Sequence, residues 1–225
     1  LVALAGSLLA QYKGSANIND GRGAIVIALA AIFIGLSVSL KIKPNFVVSL
    51  IGVVSGGVVY YTFPKLEAAG GNLHAFSTRL GGVSTGACAS MSFGFSLGDD
   101  VDNVRENYRR FCAAIGVEAQ NAVLSQQTHT ANLRIVTKED IGKGIFRERD
   151  YSDIDGLVTN EKGVVLVTQY ADCTPLVFFD PVTKTAATSH AGWRGTVAEI
   201  GKKTVELMQD RFGTRPEDIV VGIGP

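Results

Sequence analysis

The chain has 225 residues, 46% apolar and 19% charged, with 21 basic and 21 acidic side chains and so no net charge. At roughly 150 residues per domain this makes one or two domains, too apolar to be disordered. Neutrality without a basic run or an aromatic-basic stripe gives no footprint for a nucleic-acid partner.

The charge is unevenly placed. Residues 1–63 carry only Lys13, Asp20, Arg22, Lys41 and Lys43, a sum of +3, against −3 over residues 64–225, which also hold every histidine and cysteine. Gly23–Leu40 and Pro44–Pro64 are uncharged apolar runs. Each is long enough to span a bilayer core, which requires roughly 20 residues, the first barely. The reading is therefore two transmembrane helices over residues 24–40 and 46–63, joined at Lys41 and Lys43 and anchoring the chain to a membrane. Gly35, Ser39, Ser55, Gly56 and Gly57 suit close packing in lipid. The alternative is buried helices or strands of a soluble core, and the Val-rich second run has the composition of a strand. GSLLAQYKGSANINDGRGAIVIALAAIFIG resembles a passage in permease subunits of bacterial ABC importers. That resemblance covers about residues 1–60 and implies a fragment of a membrane transport component.

From Leu73 the pattern changes to short strands, turns and amphipathic helices. HAFST alternates and leads into the glycine-rich loop RLGGVSTG. Asp99–Asp102 offers N-caps for a helix carrying Val104, Tyr108, Phe111, Cys112 and Ile115 at three- and four-residue steps, and Gly116 ends it. AVLSQQTH and NLRIVT read as strands, and residues 141–153 as a charged, irregular stretch. GLVTN, VVLVTQY, PLVFFD and TAATSH follow as four closely spaced strands. Thr196–Phe212 reads as one helix with Val197, Ile200, Thr204, Met208 and Phe212 on a face, and DIVVGIG as a last strand. The expected class is α/β, a mixed sheet with flanking helices over residues 64–225, preceded by the apolar segment 1–63. Both ends of the chain read as truncated.

His129 in QQTHT, Cys173 in YADCTP and His190 in SHAGWRG sit at ends of expected strands, where a rigid scaffold presents reactive groups to loops. Two imidazoles and a thiolate form a three-ligand catalytic zinc set with the fourth position open. The spacing alone is a weak signal, since a lone strand cysteine is more often buried filler and a lone histidine more often structural. Cys112, on an apolar helix face, reads as core, and Cys88 and His74 have no partner motif. The same residues also fit a cysteine hydrolase, with Cys173 as nucleophile, His190 as base and Asp172 or a loop group as orienter. Arg79 in STRLGGVS and Arg194 in AGWRGT border glycine loops and are candidates for bidentate phosphate contacts. Gly192 and Gly195 permit close backbone approach to a ligand, and the helix start at Thr196 favours an anion. Trp193 is either a stacking wall or a core plug. Three cysteines at wide spacings argue against a disulfide framework and fit a reducing, cytoplasmic compartment.

Taken in order, FSTRLGGVSTGACASMSFGFSLGDDVDNVRENYRRF, SQQTH, DIDGLVT, ADCTPLVFFDP, HAGWRGTVAEI and VGIGP resemble the laccase-domain, or multicopper-polyphenol-oxidase-like, family over about residues 73–225. The resemblance implies an α/β domain shared with certain cysteine-hydrolase toxins. It implies metal ligands at His129, Cys173 and His190, with zinc as the metal and copper behind the older oxidase label. It implies a purine nucleoside phosphorylase acting on adenosine, inosine and S-methyl-5′-thioadenosine, with adenosine deaminase activity and phosphate or water as the nucleophile. A bacterial branch is linked to peptidoglycan editing, and copper polyphenol oxidation is the alternative activity. The phosphate roles of Arg79 and Arg194 are our own inference. Thr130 stands where the family usually has glycine and Ser92 where it usually has asparagine; neither change removes a ligand. The family continues past GIGP with a Cys-Cys-Tyr segment that helps to close the sheet and pocket.

Overall fold

The computed structural model describes residues 51–225. The expected helix over residues 24–40 and most of the permease-like stretch lie outside the described residues. The expected membrane helix over residues 46–63 is not what forms. Ile51–Ser55 (β1) and Val58–Thr62 (β2) pair antiparallel, with Val54 opposite Val59 and Ser55 opposite Val58. Gly56 and Gly57 connect them with φ of 56° and 80°. That is the backbone of a two-residue hairpin turn, which side-chain-bearing residues adopt at a cost and glycine does not. The β-branched and aromatic residues of β2 then alternate, with Val58, Tyr60 and Thr62 buried and Val59 and Tyr61 half-buried. No helix among the described residues is long and apolar enough to cross a membrane.

Phe76–Ser77 (β3) adds to β2 and completes a three-stranded sheet. Its core joins Val58, Tyr60 and Met91 to Phe93 and Phe111. The short helix Pro64–Ala69 (α1), with proline in its first turn, buries Leu66 against Phe63 and Phe179. Among the described residues the packed unit therefore spans 51–225, and the boundary expected after residue 63 falls inside it. His74 has a structural task here. Its Nε2 accepts from the Phe63 backbone N–H at 2.9 Å while Nδ1 bonds the Asn72 side-chain oxygen at 2.8 Å. Burial holds its pKa below the ordinary 6.5.

Val101–Ala114 (α2) starts where the sequence indicates, with the Asp100 carboxylate accepting from the Asp102 N–H at 2.8 Å. It buries Val104, Asn107, Tyr108 and Cys112. Cys112 is core filler, its thiol pushed up to about 11 by burial. Ala122–Leu124 (β4) pairs in parallel with Val165–Val167 (β7) beneath this helix.

The central sheet is mixed. It comprises Leu133–Ile135 (β5), Gly156–Thr159 (β6), Thr174–Asp180 (β8), Thr185–Ala191 (β9) and Val220–Ile223 (β10), in the order β10-β8-β9-β6-β5. Only β5 and β6 run parallel. The helix expected over Thr196–Phe212 is two helices, Trp193–Val197 (α3) and Ile200–Phe212 (α4), separated at Glu199 in the left-handed region with φ 59°. Separate anchors explain the break. Gly195 packs against the carbonyl of Thr130, whereas Ile200, Thr204 and Met208 are buried on the sheet and Val197 is 78% exposed.

Candidate metal centre

Strand ends bring three segments to one point. The ligand atoms of His129, Cys173 and His190 all lie within 4.8 Å of one another. His129 is on the loop between β4 and β5, with a left-handed φ of 66°. Cys173 immediately precedes β8. His190 is on β9 opposite Pro175, and the next pair is Thr174 with Ala191. Antiparallel register thus sets Cys173 beside Gly192, one step past the end of the ladder. The His129 and His190 rings meet edge to face with centroids 5.0 Å apart.

Gly192 seals the base of the cluster. A Cβ there would lie 3.0 Å from His129 Cδ2, 3.2 Å from Cys173 Sγ and 3.7 Å from His190 Cε1. The close approach expected of this glycine is therefore made to the three candidate ligands themselves. Gly195 makes a similar approach, where a Cβ would lie 2.8 Å from the Thr130 carbonyl oxygen.

The residue that sequence reasoning missed is Asp155, immediately before β6 and fully buried. Its carboxylate accepts from the backbone N–H groups of Thr128 at 3.1 Å, His129 at 3.1 Å and Thr130 at 2.9 Å, and from the Thr130 hydroxyl at 2.9 Å. His190 Nδ1 is 2.8 Å from the same group, and the His190 N–H donates to the Asp155 carbonyl at 2.7 Å. Burial acts to raise this carboxyl's pKa, but the hydrogen bonds from Thr130, His190 and Thr128 outweigh it and hold it below the usual range. The one available signal was the alternation of DIDGLVT, which puts a charge where a strand enters the core. Asp153, two residues earlier, bonds the Thr128 hydroxyl and the Asn132 amide. A Gln126–Ile154 bridge draws the two loops together.

The donor set fits a zinc ion. Ligands of one tetrahedral zinc sit roughly 3.3–3.8 Å apart, so a cluster spanning 4.8 Å needs contraction of about an ångström. With His190 Nδ1 engaged by Asp155, Nε2 is the nitrogen that could be offered to a metal. The Cys173 thiol pKa is raised, first by burial and then by the negative charges of Asp172 and Asp155. A cation at this point offsets both, because a coordinating thiol is deprotonated. A cysteine hydrolase would show Cys173 and His190 paired and His129 remote. Here His129 joins the pair.

The two arginines are not drawn into the cluster. Arg79 donates to the Ala89 carbonyl of its own loop at 2.8 Å. Arg194 stacks 5.2 Å from the Trp193 ring, and Trp193 is 72% exposed, so it is no core plug. Because α3 is only one short turn, the expected anion site at a long helix start is not formed at Thr196. A cavity of about 500 Å³ lies apart, lined by residues such as Phe95, Arg105, Phe146 and Arg149, and by none of the three candidate ligands.

Residues 73–225 match the family described as multi-copper polyphenol oxidoreductase laccase. The chain belongs to this family. Purine nucleoside phosphorylase YlmD of Bacillus subtilis is 38% identical over 154 residues, covering 67% of this chain and 54% of that protein. Adenosine deaminase RL5, from an unknown prokaryotic organism, is 33% identical over 158 residues, 68% of this chain and 59% of that protein. The crystal structure of YlmD from Geobacillus stearothermophilus superposes with a TM-score of 0.69 at 35% identity, covering 79% of this chain and 65% of that one. The chain thus spans about half the length of the curated laccase-family relatives it matches.

Proposed function

We propose that this laccase-family chain is a metal-dependent purine nucleoside phosphorylase that also deaminates adenosine. Its substrates are adenosine, inosine and S-methyl-5′-thioadenosine, with phosphate or water as the second reactant. The observation that carries the reading is the meeting of two imidazoles and a thiol from three separate segments over a glycine. The names of the relatives, a purine nucleoside phosphorylase and an adenosine deaminase, support the substrate class.

His129, Cys173 and His190 hold zinc in this reading, with copper as the alternative. Zinc, when bound, supplies Lewis-acid activation of the water that displaces the 6-amino group of adenine. The chain's own residues position the reactants. Asp155 fixes the His190 ring through Nδ1, and Gly192 keeps the floor of the site free of side chain. The exposed Trp193 indole offers a flat face for a purine. Phosphorolysis needs an anion site instead, and Arg194, two residues beyond Gly192, and Arg79 are its candidates because guanidinium matches phosphate geometry. The free thiols of Cys88, Cys112 and Cys173 fit a reducing cytoplasm.

The test is chromatography of the products from adenosine and metal-loaded protein, with and without phosphate. Adenine is expected with phosphate and inosine with water. Cys173→Ala should abolish both. Arg194→Ala or Arg79→Ala should slow the phosphate route roughly 10- to 150-fold, equivalent to about 1.5–3 kcal/mol for a lost charged hydrogen bond, and spare deamination. A protein inert on all three nucleosides that oxidises a phenol or hydrolyses an amide overturns the reading.

A further inference from the structure

We infer that Asp155 is the positioning residue of the metal site, setting the tautomer of one histidine ligand and the backbone of the other at once. The inference rests on the metal reading above. Its ground is one carboxylate serving both ligands. Oδ1 bonds the His129 N–H at 3.1 Å and His190 Nδ1 at 2.8 Å. Oδ2 takes the Thr128 and Thr130 N–H groups at 3.1 and 2.9 Å and the Thr130 hydroxyl at 2.9 Å.

Two consequences follow from the chemistry of the groups. Backbone N–H donors occupy both oxygens of this carboxylate, His129 on Oδ1 and Thr128 and Thr130 on Oδ2, so both oxygens act as acceptors. The short contact to His190 therefore requires a proton on Nδ1, and neutral imidazole then carries its free lone pair on Nε2. The second consequence concerns His129, whose φ of 66° is a conformation that residues with a side chain rarely adopt. Three successive N–H groups turned onto one carboxylate supply the interactions that hold it there. Cys173, just before β8, makes no hydrogen bond to Asp155 among the described residues, so the carboxylate's hydrogen bonds reach the two imidazole-bearing residues and not the thiol. Asp153 grips the same loop from outside, through Thr128 and Asn132.

Asparagine at position 155 has nearly the same volume but only one acceptor oxygen. Whichever way it turns, one set of donors meets an NH2 group. Facing Oδ1's partners, that group drives His190 to the Nε2–H tautomer and removes its metal lone pair. Facing Oδ2's partners, it breaks the loop that presents His129. Either way the variant should bind metal worse than its fold alone would indicate.

The experiment compares wild type, Asp155→Asn and Asp180→Asn. Asp180 is the control, since it too is fully buried and caps a turn, accepting from the Val182 N–H at 2.7 Å and the Thr183 hydroxyl at 2.6 Å, at the opposite end of β8. Zinc affinity is read by competition with a chromophoric chelator, folding by near-ultraviolet circular dichroism, and the His190 tautomer by two-bond nitrogen–proton correlation in the metal-free protein. Asp155→Asn should weaken zinc binding by roughly 10- to 100-fold, the usual effect of losing a partner of a ligating histidine. Asp180→Asn should lower stability and leave zinc affinity within about twofold of wild type. Wild-type His190 should show the Nδ1–H tautomer. A folded Asp155→Asn with wild-type zinc affinity overturns the inference. So does an Nε2–H tautomer in wild type, a readout that needs no variant to fold. A wild type that binds no zinc instead overturns the metal reading itself.

Discussion

Gly192→Ala isolates the geometry of the candidate metal centre from the stability of the fold. The backbone at Gly192 has φ −69° and ψ 171°, which alanine adopts without strain. The added methyl acts only through space. It would stand 3.0 Å from His129 Cδ2 and 3.2 Å from Cys173 Sγ, whereas carbon atoms at their contact minimum sit about 3.5–4.0 Å apart. Both ligands must then retreat by roughly half an ångström. They start up to 4.8 Å apart and must close in to share one ion, so this displacement runs against the motion that binding needs. We expect zinc affinity to fall about tenfold or more, which is about 1.4 kcal/mol. The metal-free protein should meanwhile hold its stability or gain up to about 1 kcal/mol, because alanine restricts the unfolded chain more than glycine does. Chelator competition measures the first quantity and thermal unfolding of the metal-free protein the second. Unchanged zinc affinity would refute the account, and so would equal losses of affinity and stability, since these would mean that the methyl disturbs the fold and not the site.

Leu66→Ala should cost about 2–5 kcal/mol in thermal or denaturant unfolding, because Leu66 is fully buried between Phe63 and Phe179. A loss below about 1 kcal/mol would show that α1 and the hairpin before it are not part of the domain core. His74 carries a pH signature. Its folded pKa lies below 6.5, chiefly through burial, so the unfolded chain takes up the proton more readily. The stability it contributes is present above about pH 6.5 and is lost as pH falls through the folded pKa. In His74→Gln, the fall in melting temperature on acidification below pH 6.5 should be shallower than in wild type. An identical slope in both proteins would remove His74 from the account.

Where structure follows from neighbours a few residues apart, the sequence alone determined it. Helix α2 begins at the Asp100 cap and shows its buried face in the spacing of Val104, Tyr108 and Cys112, because capping and helical period act within a single turn. Strands β6, β8 and β9 were legible for the same reason, and the ends of those strands pointed to Cys173 and His190. The apolar run Pro44–Pro64 suits a membrane helix and a buried hairpin equally, because lack of charge and sufficient length are common to both. What decided it was pairing with Phe76–Ser77 and packing of Tyr60 and Phe63 on residues far along the chain. Likewise the break at Glu199 arises because Gly195 is held by the His129 loop while Ile200 is held by the sheet, two anchors that no local propensity contains. Asp155 is 35 residues from His190, and nothing near it in sequence marks it as that ring's partner. The residue types able to hold a metal were thus present in the sequence as motifs. Their convergence and the carboxylate that orients them belong to tertiary structure, because hydrogen bonds between distant segments form only after the sheet register has set those segments side by side.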